Sequence, residues 1–181
     1  MSEQILERAR TVTAPSHVGG RVYRGDAILE IESDAVADVA TKLRDDPELR
    51  MDSLIDCTAV HWPAEQGREF ELVYQYRSVR NNLFLRVKTR IADGAPIQTL
   101  TGVFQSANFL EREVFDLFGI QFTGHPDLRR ILLPDGFEGS PLRKDYPVEG
   151  PNFPEDARRN DVFGRLDPDD FWADVDQKEA P

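Results

Sequence analysis

In EFELVYQYRS (69–78) apolar and polar positions alternate strictly, which puts Phe70, Leu72, Tyr74 and Tyr76 on one face of an extended chain. After Asn81-Asn82 the alternation resumes in LFLRVKTR (83–90), with Leu83, Leu85 and Val87 on one side. Phe84, Arg86, Lys88 and Arg90 occupy the other, so the pair predicts a hairpin with one buried and one wet face. Upstream, RVY (21–23) and AILEIE (27–32) flank Arg24-Gly25-Asp26, whose glycine suits a tight reversal between two strands. MDSLIDCTAVHW (51–62) is apolar enough for a central strand closed by Pro63.

Two stretches carry the helical period instead. Ser33 and Asp34 look like a helix start, followed by Val36, Val39, Ala40 and Leu43 at helical spacing, and Asp45-Asp46-Pro47 ends the run. SANFLEREVFDLFGI (106–120) predicts a second helix, with Ser106 as N-cap and Gly119 as C-terminal stop. Leu110, Val114, Leu117 and Phe118 form its apolar stripe, while Arg112 and Asp116 share the opposite face as an expected surface pair. Glu111 falls between Phe118 and Phe115, at the edge of the apolar side, where a carboxylate must be paired or meet an interface. Glu113 points to a different side. The expected fold is α+β: a mostly antiparallel or mixed sheet of four to five strands packed on helices, with an extended C-terminal tail.

The pattern breaks in GHPDLRRILLPDGFEGSPLRKDYP (124–147), where seven of 24 residues are Gly or Pro and eight are charged. Such a run is neither one helix nor one strand. From Arg165 onward six acids stand against two bases, and isolated aromatics (Phe153, Phe163, Phe171, Trp172) are spaced like side chains that plug pockets elsewhere. The organisation read from this is an α+β domain over 1–123, a Gly/Pro-rich charged docking segment over 124–150, and a partner-binding tail over 151–181.

Composition narrows the function. A net charge of −11 over 181 residues argues against nucleic acid and against unaided adhesion to an anionic membrane. Cys57 is the single cysteine, which excludes an intrachain disulfide and a cluster held by cysteines. MSEQILERARTV lacks the apolar core of a secretory signal, and no run reaches the roughly 18 apolar residues of a membrane span. A soluble, cytoplasmic chain is expected.

Catalytic constellations are scarce. There is no glycine-rich nucleotide fingerprint, and His17, His61 and His125 lie far apart, without metal-site spacing. Cys57 reads as a small core residue, and His61-Trp62-Pro63 as a strand end turning a corner. Arg129-Arg130 and Arg143-Lys144 can clamp an anion, but Asp127, Asp135, Glu138 and Asp145 close by favour internal or intersubunit pairing.

Taken in order, Glu111-Arg112-Glu113, Phe115-Asp116-Leu117-Phe118-Gly119-Ile120, Phe122, Gly124-His125-Pro126, Leu128-Arg129-Arg130 and Pro141-Leu142-Arg143-Lys144-Asp145-Tyr146-Pro147 resemble the C subunit of respiratory complex I, the proton-translocating NADH–quinone oxidoreductase. Phe109 stands where many relatives carry Trp, a mild departure. Over residues 20–100 the resemblance is one of element order and size only.

The resemblance implies a non-catalytic core subunit of the peripheral arm, on the cytoplasmic side of the bacterial inner membrane. It implies no cofactor on this chain: FMN and iron–sulfur clusters sit in other subunits, which pass electrons from NADH to quinone. It implies packing against the D subunit, which together with the B subunit forms the quinone cavity; with the chain ending at Pro181, the C and D subunits are expected to be separate chains. Glu111 is expected to pair with Arg129, Arg130 or Arg143 and lock the segment onto the helix. Three other readings stand beside it: an equivalent subunit of a membrane-bound [NiFe]-hydrogenase or of a coenzyme F420- or ferredoxin-linked complex, a free-standing enzyme using Glu111 and His125 as an acid/base pair, and a general scaffold whose tail is its binding arm.

Overall fold

A computed structural model describes residues 1–134 and 136–147; the expected tail over 151–181 lies outside the described residues. Along the chain run α1 (Ser2–Thr13), β1 (His17–Tyr23), β2 (Asp26–Ile31), a 3-10 turn (Ser33–Ala35), α2 (Val36–Asp45), β3 (Ser53–His61), β4 (Phe70–Ser78), β5 (Leu83–Ile91), β6 (Ile97–Gln98), α3 (Ala107–Phe118) and β7 (Phe122–Thr123). The five long strands make one mixed sheet in the order β1-β2-β5-β4-β3, with β2 and β5 the parallel pair. The two-residue strands β6 and β7 form a separate parallel pair. The α+β expectation holds.

The apolar faces follow the period-two patterns, but the opposite face is not wholly wet, since Glu71 and Val73 of β4 are buried there. Phe70, Leu72, Tyr74 and Tyr76 of β4 are buried beside Leu85 and Val87 of β5, and the two strands pair antiparallel from Phe70↔Ile91 to Ser78↔Leu83. Arg24 and Gly25 close the β1–β2 hairpin with φ of 51° and 92°, the left-handed pair that follows the natural strand twist. Val36, Val39, Ala40 and Leu43 of α2 are all buried, and the helix stops at Asp45.

Two expectations need correction, and one helix lacks a sequence signal. Residues 53–61 form an edge strand, not a central one, with one backbone edge unpaired, and Ile55, Asp56 and Thr58 are exposed. A bulge between Leu54 and Asp56 shifts the alternation by one residue and lets both Leu54 and Cys57 turn inward. Ser106 does not cap α3 with its side chain: its own backbone is helical, and its hydroxyl donates to the Leu54 carbonyl at 2.7 Å. The N-terminal α1 was not anticipated, because its buried face holds only Ile5, Leu6, Ala9 and Thr13, too sparse a stripe to stand out.

α1 packs on β1, β2 and α2, while α3 lies across β3. Val114 and Phe118 are the buried part of the expected α3 stripe, with Leu110 and Leu117 half-buried. Gly119 then stops the helix in the left-handed region at φ 78°, its N–H returning to the Phe115 carbonyl at 2.9 Å.

Candidate functional site

The motif residues gather around α3, and the helix uses both flanks. On one flank Asp116, 1% exposed, meets the main chain of the charged segment. Its Oδ2 accepts the consecutive N–H groups of Ile131, Leu132 and Leu133 at 3.0, 2.8 and 2.9 Å. Its Oδ1 accepts from Arg130 Nη1 at 2.9 Å. Burial alone would raise the Asp116 carboxyl, but the Leu133, Leu132 and Ile131 amides and the Arg130 guanidinium outweigh it and hold it below the usual carboxylate range. Arg112, also buried, does the complementary work: Nε donates to the Arg129 carbonyl at 3.1 Å and Nη2 to the Arg130 carbonyl at 3.3 Å.

The expected Arg112–Asp116 surface pair is therefore wrong. Both residues do lie on one flank, but residues 129–133 cover it. Irregular chain has backbone donors and acceptors with no ladder to join, and here a helix aspartate takes the donors while a helix arginine serves the acceptors. Nothing in a helical wheel announces that, since the partners are main-chain atoms.

Glu111 sits on the core-facing flank and is fully buried. The expected pairing with Arg129, Arg130 or Arg143 does not occur. Leu100 N–H donates to its Oε1 at 2.6 Å, and Thr99 Oγ1 lies 2.5 Å from its Oε2. The three arginines are engaged elsewhere: Arg130 with Asp116, Arg129 with Asp127 at 3.0 Å on the surface, and Arg143 with Asp93. Desolvation pushes the Glu111 carboxyl up to about 7, the bonds from Thr99 and Leu100 offsetting only part of the effect.

The distal half of the segment has its own anchor. Arg143 grips Asp93 with two nitrogens, at 3.0 and 2.5 Å, and Nε reaches Asp145 at 3.2 Å. Its guanidinium lies 5.1 Å from the Phe70 ring centroid, a cation–π contact. The bond to Asp93 chiefly raises the Arg143 pKa, and the same guanidinium keeps both Asp93 and Asp145 below the ordinary range. One residue on, Lys144 N–H donates to His61 Nδ1 at 2.9 Å, and the His61 ring, buried, stacks on Phe70 at 4.6 Å. Sequence reasoning placed His61 at a strand end and missed this docking role, because 83 positions separate donor and acceptor.

The remaining candidates are structural neighbours of these anchors. His125 Nδ1 accepts the Asp127 N–H at 3.1 Å, which assigns the proton to Nε2 and a bond from there to the Asn108 carbonyl at 3.1 Å. Glu111 and His125 are thus each committed to different groups, and the acid/base pairing has no geometric support. Tyr146 stacks on Phe137 and donates to the Glu138 carbonyl at 3.1 Å. Glu113, Gly124, Pro126, Lys144 and Pro147 are exposed, and Pro141 is half-buried. Among the described residues no cluster of three His, Cys, Asp or Glu side chains could hold a metal ion. A recess of about 490 Å³ lies between the start of α1 and residues such as Ile55, Gln75, Phe84 and Arg86, and contains none of the motif residues.

Fold and site together define an α+β protein whose motif binds its own main chain, with apolar side chains left outward around it: Phe109 at 62% exposure, Leu132 at 60% and Leu142 at 47%. The family model for the respiratory-chain NADH dehydrogenase, 30 Kd subunit, matches residues 29–152, and the chain belongs to this family. It is similar to the C subunit of the NADH-quinone oxidoreductase of Rhodobacter capsulatus, 42% identical over 153 residues that cover 83% of this chain and 76% of that one. The corresponding protein of Roseiflexus sp. is 42% identical over 145 residues, covering 80% and 83%. Among solved structures, a chain of the membrane-bound sulfane sulfur reductase, an archaeal respiratory membrane complex, superposes with a TM-score of 0.68 at 28% identity, covering 91% of this chain and 92% of that one. A trypsin-resistant fragment of Nqo5 gives 0.55 at 27% identity, covering 71% of this chain and all of the fragment.

Proposed function

We propose that this chain is the C subunit of an NADH–quinone oxidoreductase, and that it serves the peripheral arm as a docking and assembly element with no redox group of its own. The carrying observation is the use of the motif: Asp116 and Arg112 bind residues 129–133, Arg143 and His61 fix residues 143–145, and Phe109, Leu132 and Leu142 remain exposed beside them. A prefolded surface of that kind costs less ordering entropy on association than a loose loop would. In this reading FMN and iron–sulfur clusters reside in partner subunits, and the principal neighbour is the D subunit.

No helix among the described residues is long and apolar enough to cross a membrane. The reading therefore holds the chain at the cytoplasmic side of the membrane through its partners. Identities of about 40% to NADH-quinone oxidoreductase subunits support this assembly. Affinity purification from native membranes tests it, with identification of co-purifying chains and an inhibitor-sensitive NADH–quinone assay. Flavin- and iron–sulfur-bearing NADH-oxidising subunits are expected in the eluate. A solitary protein, or a hydrogenase in their place, would overturn it.

A further inference from the structure

Glu111 is a buried carboxyl without a cation: among the described residues no lysine, arginine or histidine pairs with it. The titratable groups that interact with it from the sheet are Cys57 of β3 and Tyr74 and Tyr76 of β4. Burial, with the Glu111 charge adding to it, pushes all three well above their usual values, so none supplies a positive charge. The Tyr74 hydroxyl is buried with no hydrogen-bond partner among the described residues.

A path leads from this carboxyl toward solvent. Beyond Glu111 Oε2, Thr99 Oγ1 lies 2.9 Å from Thr101 Oγ1 and accepts the Thr101 N–H at 3.1 Å. Both threonines are half-buried. Thr99 is also tied to the root of the charged segment. Its N–H donates to the Thr123 carbonyl at 3.0 Å, and its methyl carbon stands 3.5 Å from where a side chain on Gly124 would begin. One residue, Thr99, thus joins the core face of α3 through its hydroxyl, the end of the β6–β7 pair through its N–H, and the first residue of the segment through its methyl.

We propose that Glu111 is a proton-binding switch that locks the root of segment 124–147 to α3 when protonated and loosens it when ionised. In the protonated state Glu111 Oε2–H donates to Thr99 Oγ1, and Thr99 donates onward to Thr101. On ionisation both hydroxyls turn round: Thr101 donates to Thr99, and Thr99 to the carboxylate. The proton leaves along the same two oxygens, and no other group changes charge. What remains is a desolvated anion held by one amide and one hydroxyl, a poorer match than the neutral acid.

The direction with pH follows from the raised carboxyl. A closed state that binds the proton more tightly than the opened one has its full stabilisation below about 4.5 and loses it as pH rises through about 7. Linkage between those two values makes the local opening constant rise roughly tenfold between pH 6 and 8.5.

The test uses the full chain. Carbon-detected NMR of glutamate side chains follows the Glu111 carboxyl, and residue-resolved amide exchange, corrected for intrinsic rates, follows Leu100, Thr123 and the residues after Gly124. Wild type is expected to show a Glu111 midpoint near neutrality and a roughly tenfold fall in protection from pH 6 to 8.5. Glu111→Gln, which donates to Thr99 as the protonated acid does, is expected to keep protection flat with pH. Thr99→Val removes the relay and lowers protection at the root at both pH values. A Glu111 midpoint below about pH 5.5 would overturn the proposal. So would an equal pH dependence in wild type and Glu111→Gln. Should the variants fail to fold, the wild-type titration and its exchange profile decide alone.

Discussion

Asp116 and Arg130 lie 14 positions apart and meet at 2.9 Å, the aspartate holding the arginine with one oxygen and three successive amides of the following chain with the other. This one carboxylate substitutes for a whole strand partner. Asp116→Asn keeps an acceptor for the amides but turns an NH2 group toward the guanidinium. It is expected to cost about 2 kcal/mol, and Asp116→Ala more, on the scale of lost charge-assisted bonds. Denaturant melts of the full chain measure the loss, and amide exchange should localise it to residues 131–133.

The same site fixes the response to acid. Asp116, Asp93 and Asp145 all have folded values below 3.8, so their contribution is full above about that pH and is lost as pH falls through the folded values. Stability of wild type should therefore rise as pH falls from about 7 to about 4.5, where Glu111 takes up its proton, and drop below about pH 4 as these aspartates are protonated. Asp116→Asn should start lower and show a shallower acid limb. Identical limbs in the two proteins would mean that Asp116 titrates normally.

Much of the scaffold was legible because its signals are local. The alternation at Phe70–Tyr76 and the stripe Val36–Leu43 each state a period within a few residues, and packing simply honours it. The site was harder. The motif residues were recognised together, yet their partners were misassigned, because Asp116 and Arg112 bind backbone, which carries no residue signal. Glu111 misled for a different reason: opposite charges suggested an ion pair, whereas the fold places Thr99 and the Leu100 amide at that carboxylate. His61 and Lys144 are joined only by tertiary folding.

Arg143 is a geometric anchor more than a charge. Arg143→Lys retains the charge but loses the two-pronged grip on Asp93 and the flat contact with Phe70. Because Asp93 is about half exposed, solvent screening keeps the expected cost to about 0.5–1.5 kcal/mol. A double-mutant cycle with Asp93→Ala should return most of that as coupling energy. Full additivity of the two single changes would show the pair to be idle.

If the exposed apolar residues serve assembly, their loss should separate folding from association. Leu132→Ala should change the stability of the free chain by less than about 0.5 kcal/mol, and Phe109→Ala, which also loses the cation–π contact with Arg112, by no more than about 1 kcal/mol. In the membrane-purified complex the same variants should lower the yield of co-purifying subunits severalfold. Phe118→Ala, on the buried face of α3, should instead cost about 3–5 kcal/mol in the free chain.

Gly139 and Gly136 offer a matched pair for the segment's shape. Both sit in the left-handed region, at φ of 86° and 84°, so alanine at either should cost about 1 kcal/mol of backbone strain. A Cβ at Gly136 meets nothing within 4 Å, whereas one at Gly139 falls 2.6 Å from Cε2 of the Tyr146 ring. Gly139→Ala must therefore also displace that ring from its stack on Phe137 and from the Glu138 carbonyl. The expected extra cost is about 1–2 kcal/mol, in the range of overpacking. Adding Tyr146→Ala should remove the difference between the two alanine variants. If Gly136→Ala and Gly139→Ala are equally destabilised with Tyr146 intact, the ring does not rest on Gly139 in solution.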